Sequence, residues 1–169
     1  RDLTIDVNKS DAINPTVLLH GIAFEGARNA FIENVRIINY GSYDVTAGSS
    51  RGMSIHGSGA STPSTNIVLR NVVFESAYQP THAIAIGSSG SGTSGVNGLL
   101  IDGLWIDHSG VPTVATVNKP IGFGIHLAHQ PTTDTATTRR SGKVVIRNAY
   151  IQGCRSSSLI VAGAMSDVI

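Results

Sequence analysis

Phe31-Ile32-Glu33-Asn34-Val35-Arg36-Ile37 is the stretch that decides the fold, because the chain repeats it. Close copies are Val-Leu-Arg-Asn-Val-Val-Phe at 68–74 and Val-Ile-Arg-Asn-Ala-Tyr-Ile at 145–151. A fourth copy at 100–106 has Gly in place of Asn, and Asp2-Leu3-Thr4-Ile5 ends a fifth. The last apolar position recurs after 32, 37, 32 and 45 residues, at Ile5, Ile37, Phe74, Ile106 and Ile151. A fixed motif at uneven spacing indicates a repeat with constant strands and variable loops.

Each copy predicts two short strands joined by a sharp bend. Apolar residues alternate on one side of extended chain, and the Asn or Gly between them tolerates a positive φ. A further short strand precedes each copy, as Ile22–Phe24, Met53–Ile55, Ile84–Ile86, Phe123–Ile125 and Leu159–Val161. We therefore predict an all-β parallel β-helix, a single-stranded solenoid of about five coils with three short strands each.

The chain resembles the right-handed parallel β-helices of the pectate-lyase-like superfamily, which includes polysaccharide lyases, related glycoside hydrolases and phage tailspikes. Asn34, Asn71 and Asn148 match the asparagine ladder at the second turn of that fold. The resemblance covers the whole chain and implies the fold more specifically than the function. The chain lacks the Asp-pair, Gly-His-Gly and Arg-x-Lys signatures of the polygalacturonase branch.

Composition narrows the possible classes of protein. The 169 residues are expected to form one domain over 1–169, and because the chain begins and ends inside a repeat we interpret it as a fragment of a longer solenoid. The net charge of +1 argues against nucleic acid as a partner. No apolar run approaches the roughly 20 residues of a membrane span. Cys154 is the single cysteine, so an internal disulfide is excluded.

Stacked positions of the repeat predict a polar groove beside the strand that precedes each copy. Equivalent positions of a parallel solenoid lie about 4.8 Å apart, so they form columns. One predicted column contains Glu25, His56, Gly87, His126 and Ala162. The column before it is mostly small and contains Ala23, Ser54, Ala85, Gly124 and Ile160. The loop over 41–51 is expected to bring Asp44 and Arg51 to the same groove.

Two reactions fit the candidate catalytic residues Glu25, His56, Asp44 and Arg51. A glycoside hydrolase would use a carboxyl pair, Glu25 and Asp44. A lyase acting on uronic acids would use His56 to abstract the proton α to the carboxylate, which Arg51 would neutralise. Binding of a glycan without cleavage, or a merely solvated surface, are the alternatives.

The remaining polar and aromatic candidates have smaller roles. We predict that His126, Trp105 and Tyr43 bind substrate. His20, His82 and His108 fall at strand ends and are interpreted as turn or surface residues. The sequence predicts no cofactor, and no cluster has the ligand spacing of a structural zinc site.

Two further columns of the repeat carry structural predictions. Glu33, Arg70, Asp102 and Arg147 alternate in sign and are interpreted as a charge ladder between strands. An outward apolar column contains Phe31, Val68, Leu100, Val145 and Val168. A monomer rarely exposes such a stripe, so we expect a homotrimer to bury it, unless these side chains turn inward at a flattened corner.

These observations favour an extracellular or virion-borne protein that binds and degrades polysaccharide as a lyase or hydrolase. The alternative is a non-catalytic structural or adhesive β-helix, such as a trimeric tailspike shaft or a surface adhesin. An enzyme should have Glu25 and His56 within hydrogen-bonding range in a cleft, whereas a shaft should have them apart and solvated. The sequence leaves the substrate sugar open.

Overall fold

A computed structural model describes residues 2–7, 20–41, 51–58, 62–75, 82–87, 95–109, 123–129, 141–154, 157–163 and 165–169. Within these ranges the chain forms strands and no helix. The strands are β1 (Leu3–Asp6), β2 (His20–Glu25), β3 (Phe31–Ile38), β4 (Arg51–His56), β5 (Ser64–Glu75), β6 (His82–Ile86), β7 (Val96–Asp107), β8 (Phe123–His129), β9 (Ser141–Gln152), β10 (Leu159–Gly163) and β11 (Met165–Val168).

The strands belong to two stacked parallel sheets that the chain enters in alternation. Sheet A has the order β1-β3-β5-β7-β9-β11, and sheet B has the order β2-β4-β6-β8-β10. Each strand therefore pairs in parallel with the strand two places earlier in the chain. The described chain is all-β, and this arrangement is compatible with a parallel β-helix.

The strands of sheet A contain the bends that the repeated motif predicts. Asn34, Asn71 and Asn148 have φ values of 56°, 50° and 53°, and Gly103 has 76°. The strand pairing skips these residues and continues on either side of them, as between β3 and β5. The two short strands predicted for each copy are therefore the two halves of one longer strand, such as the 12 residues of β5.

A second set of bends, which the sequence analysis missed, lies five residues before the first. Asn29, Asn66 and Lys143 have φ values of 54°, 53° and 53°, and Gly98 has 78°. The Asn66 Nδ2 donates a hydrogen bond to the Asn29 Oδ1 at 3.1 Å. The signal was present, since an Asn stands five residues before both Asn34 and Asn71.

The core fills the space between the two sheets. On sheet A the register stacks Ile5, Ile37, Phe74, Ile106 and Ile151 in one column. Sheet B contributes the fully or almost fully buried side chains of Met53, Ile55, Ile84, Ile86, Ile125 and Leu127. Each such side chain stabilises the fold by about 1.5–3 kcal/mol relative to an exposed one. This packed core holds the outward residues of both sheets in fixed positions.

The outward side of sheet A carries the charge ladder in register. Glu33, Arg70, Asp102 and Arg147 are consecutive partners across four strands. Arg70 Nη1 lies 3.4 Å from Glu33 Oε1, and Arg147 Nη2 lies 2.8 Å from Asp102 Oδ2. Such solvent-exposed pairs contribute little to stability.

The apolar column of sheet A contains four of its five predicted members. Phe31, Val68, Leu100 and Val145 are consecutive register partners, and Phe31 is 56% exposed. The prediction for Val168 was wrong, because this residue pairs with Val144 rather than with Val145. The last turn is one residue longer than the repeat alignment assumed, so Ile169 lies opposite Val145. The Ile169 backbone N–H donates to the Val144 carbonyl oxygen, and the Ile169 carbonyl oxygen accepts from the Ile146 N–H.

Candidate functional site

The outward side of sheet B gathers polar side chains from four neighbouring strands. Strand pairing forms one column of His20, Arg51, His82 and Phe123, and a second of Ala23, Ser54, Ala85 and His126. A third column begins with Glu25 and His56. We call these ten residues the histidine face.

A local bulge in the strands explains why the first column points outward. Gly52 faces the interior, since a Cβ there would lie 2.6 Å from the Phe74 ring, and the next residue, Met53, is fully buried. Two successive inward residues break the usual alternation, so Arg51 and Ser54 share the outward side. Arg51 Nη1 accordingly donates to Ser54 Oγ at 3.3 Å.

Aromatic rings close one end of the histidine face. The His82 ring is stacked on His126, with 4.6 Å between ring centroids, and on Phe123, with 5.3 Å. His82 is only 8% exposed. The small side chains of Ser54 and Ala85 occupy the neighbouring column and are also buried.

Three buried nitrogen atoms of the face lack hydrogen-bond partners. In the part of the chain that the structure describes, His20 Nδ1, Arg51 Nε and His82 Nδ1 are the buried side-chain polar atoms without a partner. All three belong to the first column. An unsatisfied buried polar group costs about 1–3 kcal/mol, and folded proteins retain few of them. This column is therefore the strongest candidate for contact with a ligand.

Burial lowers the pKa of four members of the face. Desolvation is the largest cause that lowers the pKa of His20, His82 and His126, and the positive charge of Arg51 adds to it in each case. For His82 the pKa falls from 6.5 to about 3, and the neighbouring His126 contributes more than Arg51 does. Desolvation also lowers the pKa of the Arg51 guanidinium. At neutral pH these three imidazoles are neutral, and Arg51 is the cation among them.

Glu25 and His56 stand side by side on β2 and β4. The carboxylate is exposed, the imidazole is half-buried, and no hydrogen bond joins the two side chains in the described structure. His56 Nδ1 instead lies 3.0 Å from the Gly57 carbonyl oxygen. A carbonyl only accepts, so the neutral ring carries its proton on Nδ1 and has a lone pair on Nε2. This tautomer suits His56 as a base.

The prediction that His126 belongs to the column of Glu25 and His56 was wrong. His126 pairs with Ala85, which places it in the column of small residues instead of Gly124. The sequence alignment matched Phe123 and Ile125 with Ile84 and Ile86, whereas the structure pairs Ile84 with Ile125. The observed register is favoured because it buries Ile125 and Leu127 completely.

Sequence analysis also missed two members of the face. His20 and His82 were interpreted as turn or surface residues, but they begin β2 and β6 and flank Arg51 in the first column. Arg51 itself begins β4 instead of ending a loop. The repeat contained the signal, because His20, Arg51 and His82 each lie two positions before the first apolar residue of the short strand that precedes a motif copy.

The predicted substrate-binding residue Trp105 lies away from the histidine face. Trp105 is on sheet A, where its ring stacks on Tyr150 with 4.3 Å between centroids. These rings border a shallow depression of about 320 Å³ that is separate from the histidine face. Tyr43 and Asp44 lie outside the described residues.

The asparagines of the repeat form short contacts along sheet A. Asn71 Nδ2 donates to Asn34 Oδ1 at 3.1 Å. Gly103 then interrupts the series, and a Cβ at Gly103 would lie 2.6 Å from Asn71 Oδ1. Asn148 Nδ2 donates instead to Asp102 Oδ1 at 2.7 Å. This bond and the one from Arg147, which is the larger cause, lower the pKa of Asp102.

A separate buried polar chain links Tyr40, His108 and Cys154. Tyr40 Oη lies 2.6 Å from His108 Nε2, and His108 Nδ1 lies 3.8 Å from Cys154 Sγ. The prediction of His108 as a turn or surface residue was wrong, because only 2% of it is exposed. Burial raises the pKa of both Tyr40 and Cys154. A thiol with a raised pKa is a poor nucleophile, so we interpret this chain as structural.

The described ranges contain no group of three or more His, Cys, Asp and Glu side chains arranged to hold a metal ion. Within the same ranges there is also no helix long and apolar enough to cross a membrane. Comparisons of the chain with models of protein families, with curated proteins and with solved structures found no match.

Proposed function

We propose that this chain forms a right-handed parallel β-helix, similar to the pectate-lyase-like superfamily, that binds and degrades a polysaccharide on its histidine face. The two stacked parallel sheets and the positive-φ asparagines at the bends support the fold. An extracellular or virion-borne location follows from this function, because polysaccharides of that kind are met outside the cell.

The observation that carries the function is the chemistry gathered on sheet B. Imidazoles of His56 and His126, the guanidinium of Arg51 and the carboxylate of Glu25 project from adjacent strands of a rigid sheet. Small residues occupy the column between them. Burial lowers the pKa of His126 and of the Arg51 guanidinium, and groups perturbed in this way on a rigid surface are typical of functional sites.

We favour elimination over hydrolysis on the chemistry of the described residues. Glycoside hydrolysis usually needs two carboxyl groups, and Glu25 is the only carboxylate on the described part of this face. In elimination, His56 Nε2 takes the proton from the carbon α to a uronate carboxylate while Arg51 stabilises the charge that develops there. The C–O bond to the neighbouring sugar breaks, a C=C bond forms, and protonation of the leaving oxygen completes a new end.

A reducing-end assay on a panel of acidic and neutral polysaccharides tests this proposal. We expect new ends on at least one acidic polymer, accompanied by the ultraviolet absorbance of an unsaturated sugar. New ends without that absorbance would replace the lyase by a hydrolase. No new ends on any polymer of the panel would overturn the enzymatic function.

A second candidate function is a structural or adhesive β-helix assembled as a homotrimer. The observation that favours it is the outward apolar column of Phe31, Val68, Leu100 and Val145. Sedimentation equilibrium of the parent chain and of Val68→Asp tests it. A trimer that the variant dissociates would support this assembly, and a monomeric parent would contradict it.

A further inference from the structure

The first column of the histidine face has the features of an anion site. Arg51 lies between His20 and His82 on adjacent strands, which are separated by about 4.8 Å. Each of the three residues has a buried nitrogen without a hydrogen-bond partner. His82 is more than nine-tenths buried, so water does not readily replace the missing partner.

Charge points to the kind of ligand. Arg51 is not ion-paired in the described structure, and burial lowers the pKa of its guanidinium. Glu25, the only described carboxylate of the face, is exposed and stands in a different column. A half-buried guanidinium without a counter-charge is costly, and an anion would offset that cost.

The hydrogen-bonding geometry narrows the ligand to an oxyanion. The bond from Arg51 Nη1 to Ser54 Oγ orients the guanidinium and leaves Nε for another acceptor. Arg binds two-oxygen acceptors such as carboxylates through neighbouring N–H groups. A neutral imidazole can donate from Nδ1, so His20 and His82 supply donors on either side.

We propose that the column of His20, Arg51 and His82 binds an oxyanion substituent of the glycan, either a carboxylate or a sulfate ester, with Arg51 as its charged donor. This assignment rests on the proposed function for placing the oxyanion on a sugar. It adds His20 and His82, which sequence analysis set aside, to the residues that select the substrate.

Isothermal titration calorimetry with three simple sugars tests the assignment without requiring cleavage. The probes are sodium glucuronate, glucose 6-sulfate and neutral glucose, at one fixed ionic strength. We expect saturable binding of at least one anionic sugar and binding of glucose that is at least about tenfold weaker. The anionic sugar that binds more tightly identifies the substituent. Failure of both anionic sugars to bind would overturn the proposal.

Variants locate the site. Arg51→Met should weaken binding by at least about tenfold, because it removes the charged donor at similar length. Arg28→Met removes the same charge from an exposed position and should change binding by less than about twofold. Equal affinities in the two variants would contradict the assignment. If Arg51→Met lacks the circular dichroism spectrum of the parent, His82→Phe is judged by the same criterion, since it keeps the ring and removes Nδ1.

The two proposals can fail separately. Binding of an anionic sugar through Arg51, without cleavage of any polymer, would leave the oxyanion site standing and overturn the enzyme. Cleavage restricted to neutral polymers, with no binding of either anionic sugar, would support the enzyme and overturn the oxyanion site.

Discussion

The outward faces of sheets A and B use polar residues in opposite ways. On sheet A the polar side chains have partners on neighbouring strands, as in the pairs Arg147–Asp102 and Asn71–Asn34. On sheet B the column of His20, Arg51 and His82 retains buried nitrogens without partners. Paired groups stabilise a solenoid, whereas unpaired buried groups reduce its stability. This difference is the basis of our proposal that sheet A serves structure and sheet B serves binding.

Acid should reveal the burial of the histidine face most strongly. The pKa of His82 is about 3 in the folded chain and 6.5 in the unfolded chain, so only the unfolded chain gains this proton between these values. The stability from neutral His82 is therefore complete above pH 6.5 and is lost as the pH falls towards 3. The free energy of unfolding should decrease by up to about 1.4 kcal/mol per pH unit. His20 and His126 change it in the same direction.

Urea unfolding followed by circular dichroism between about pH 7 and pH 4.5 measures this slope. His82→Phe keeps a stacked ring without a titrating group, so it should have a clearly smaller slope than the parent. An equal slope in parent and variant would show that His82 is not the buried titrating group.

Neutralising one arginine on each sheet should change stability in opposite directions. Arg51→Met removes a half-buried, unpaired cation and should raise the free energy of unfolding by about 1–2 kcal/mol, since apolar replacements of buried charges are often stabilising. Arg147→Met breaks an exposed ion pair with Asp102 and should lower it only slightly. Thermal unfolding of both variants makes the comparison. A loss of stability in Arg51→Met larger than that in Arg147→Met would contradict the contrast between the sheets.

The bend asparagines of sheet A should show a smaller and more local effect. Asn71→Ala puts at φ 50° a residue that has no polar side chain to favour this conformation, and it also removes the hydrogen bond to Asn34. It should therefore lower the free energy of unfolding by about 1–2 kcal/mol. Asn71→Gly removes the same bond but suits the backbone, as Gly103 does one rung further along. It should therefore unfold at a higher urea concentration than Asn71→Ala. Equal midpoints would show that backbone conformation does not decide the choice of residue here.

The sequence predicts the repeat, the first set of bends and the core column well, because these depend on local patterns that recur. Ile37, Phe74 and Ile106 could be aligned from their motif alone, and strand pairing confirms the alignment. The register was missed where the pattern is ambiguous. Phe123-Gly124-Ile125 imitates an apolar alternation, so His126 was displaced by one column.

Several residues of the histidine face could be identified from the sequence, but the contacts between them could not. Glu25, His56 and Arg51 were recognised by residue type. The outward position of Arg51 depends on the bulge at Gly52, and simple alternation would place Arg51 on the same side as Met53. The burial of His82 depends on the rings of Phe123 and His126, which come from a strand about 40 residues later in the chain. Such contacts follow from register and are not visible in a local pattern.

The central claim is that sheet B, and not sheet A, carries the chemistry. The most direct measurement is kcat/KM on a polymer that the parent cleaves, for Glu25→Gln/His56→Ala and for the sheet A control Glu33→Gln. We predict a decrease of at least about 100-fold in the double variant, the usual contribution of general acid–base groups, and less than about a twofold change in the control. Retention of parental kcat/KM by a folded double variant would contradict the claim.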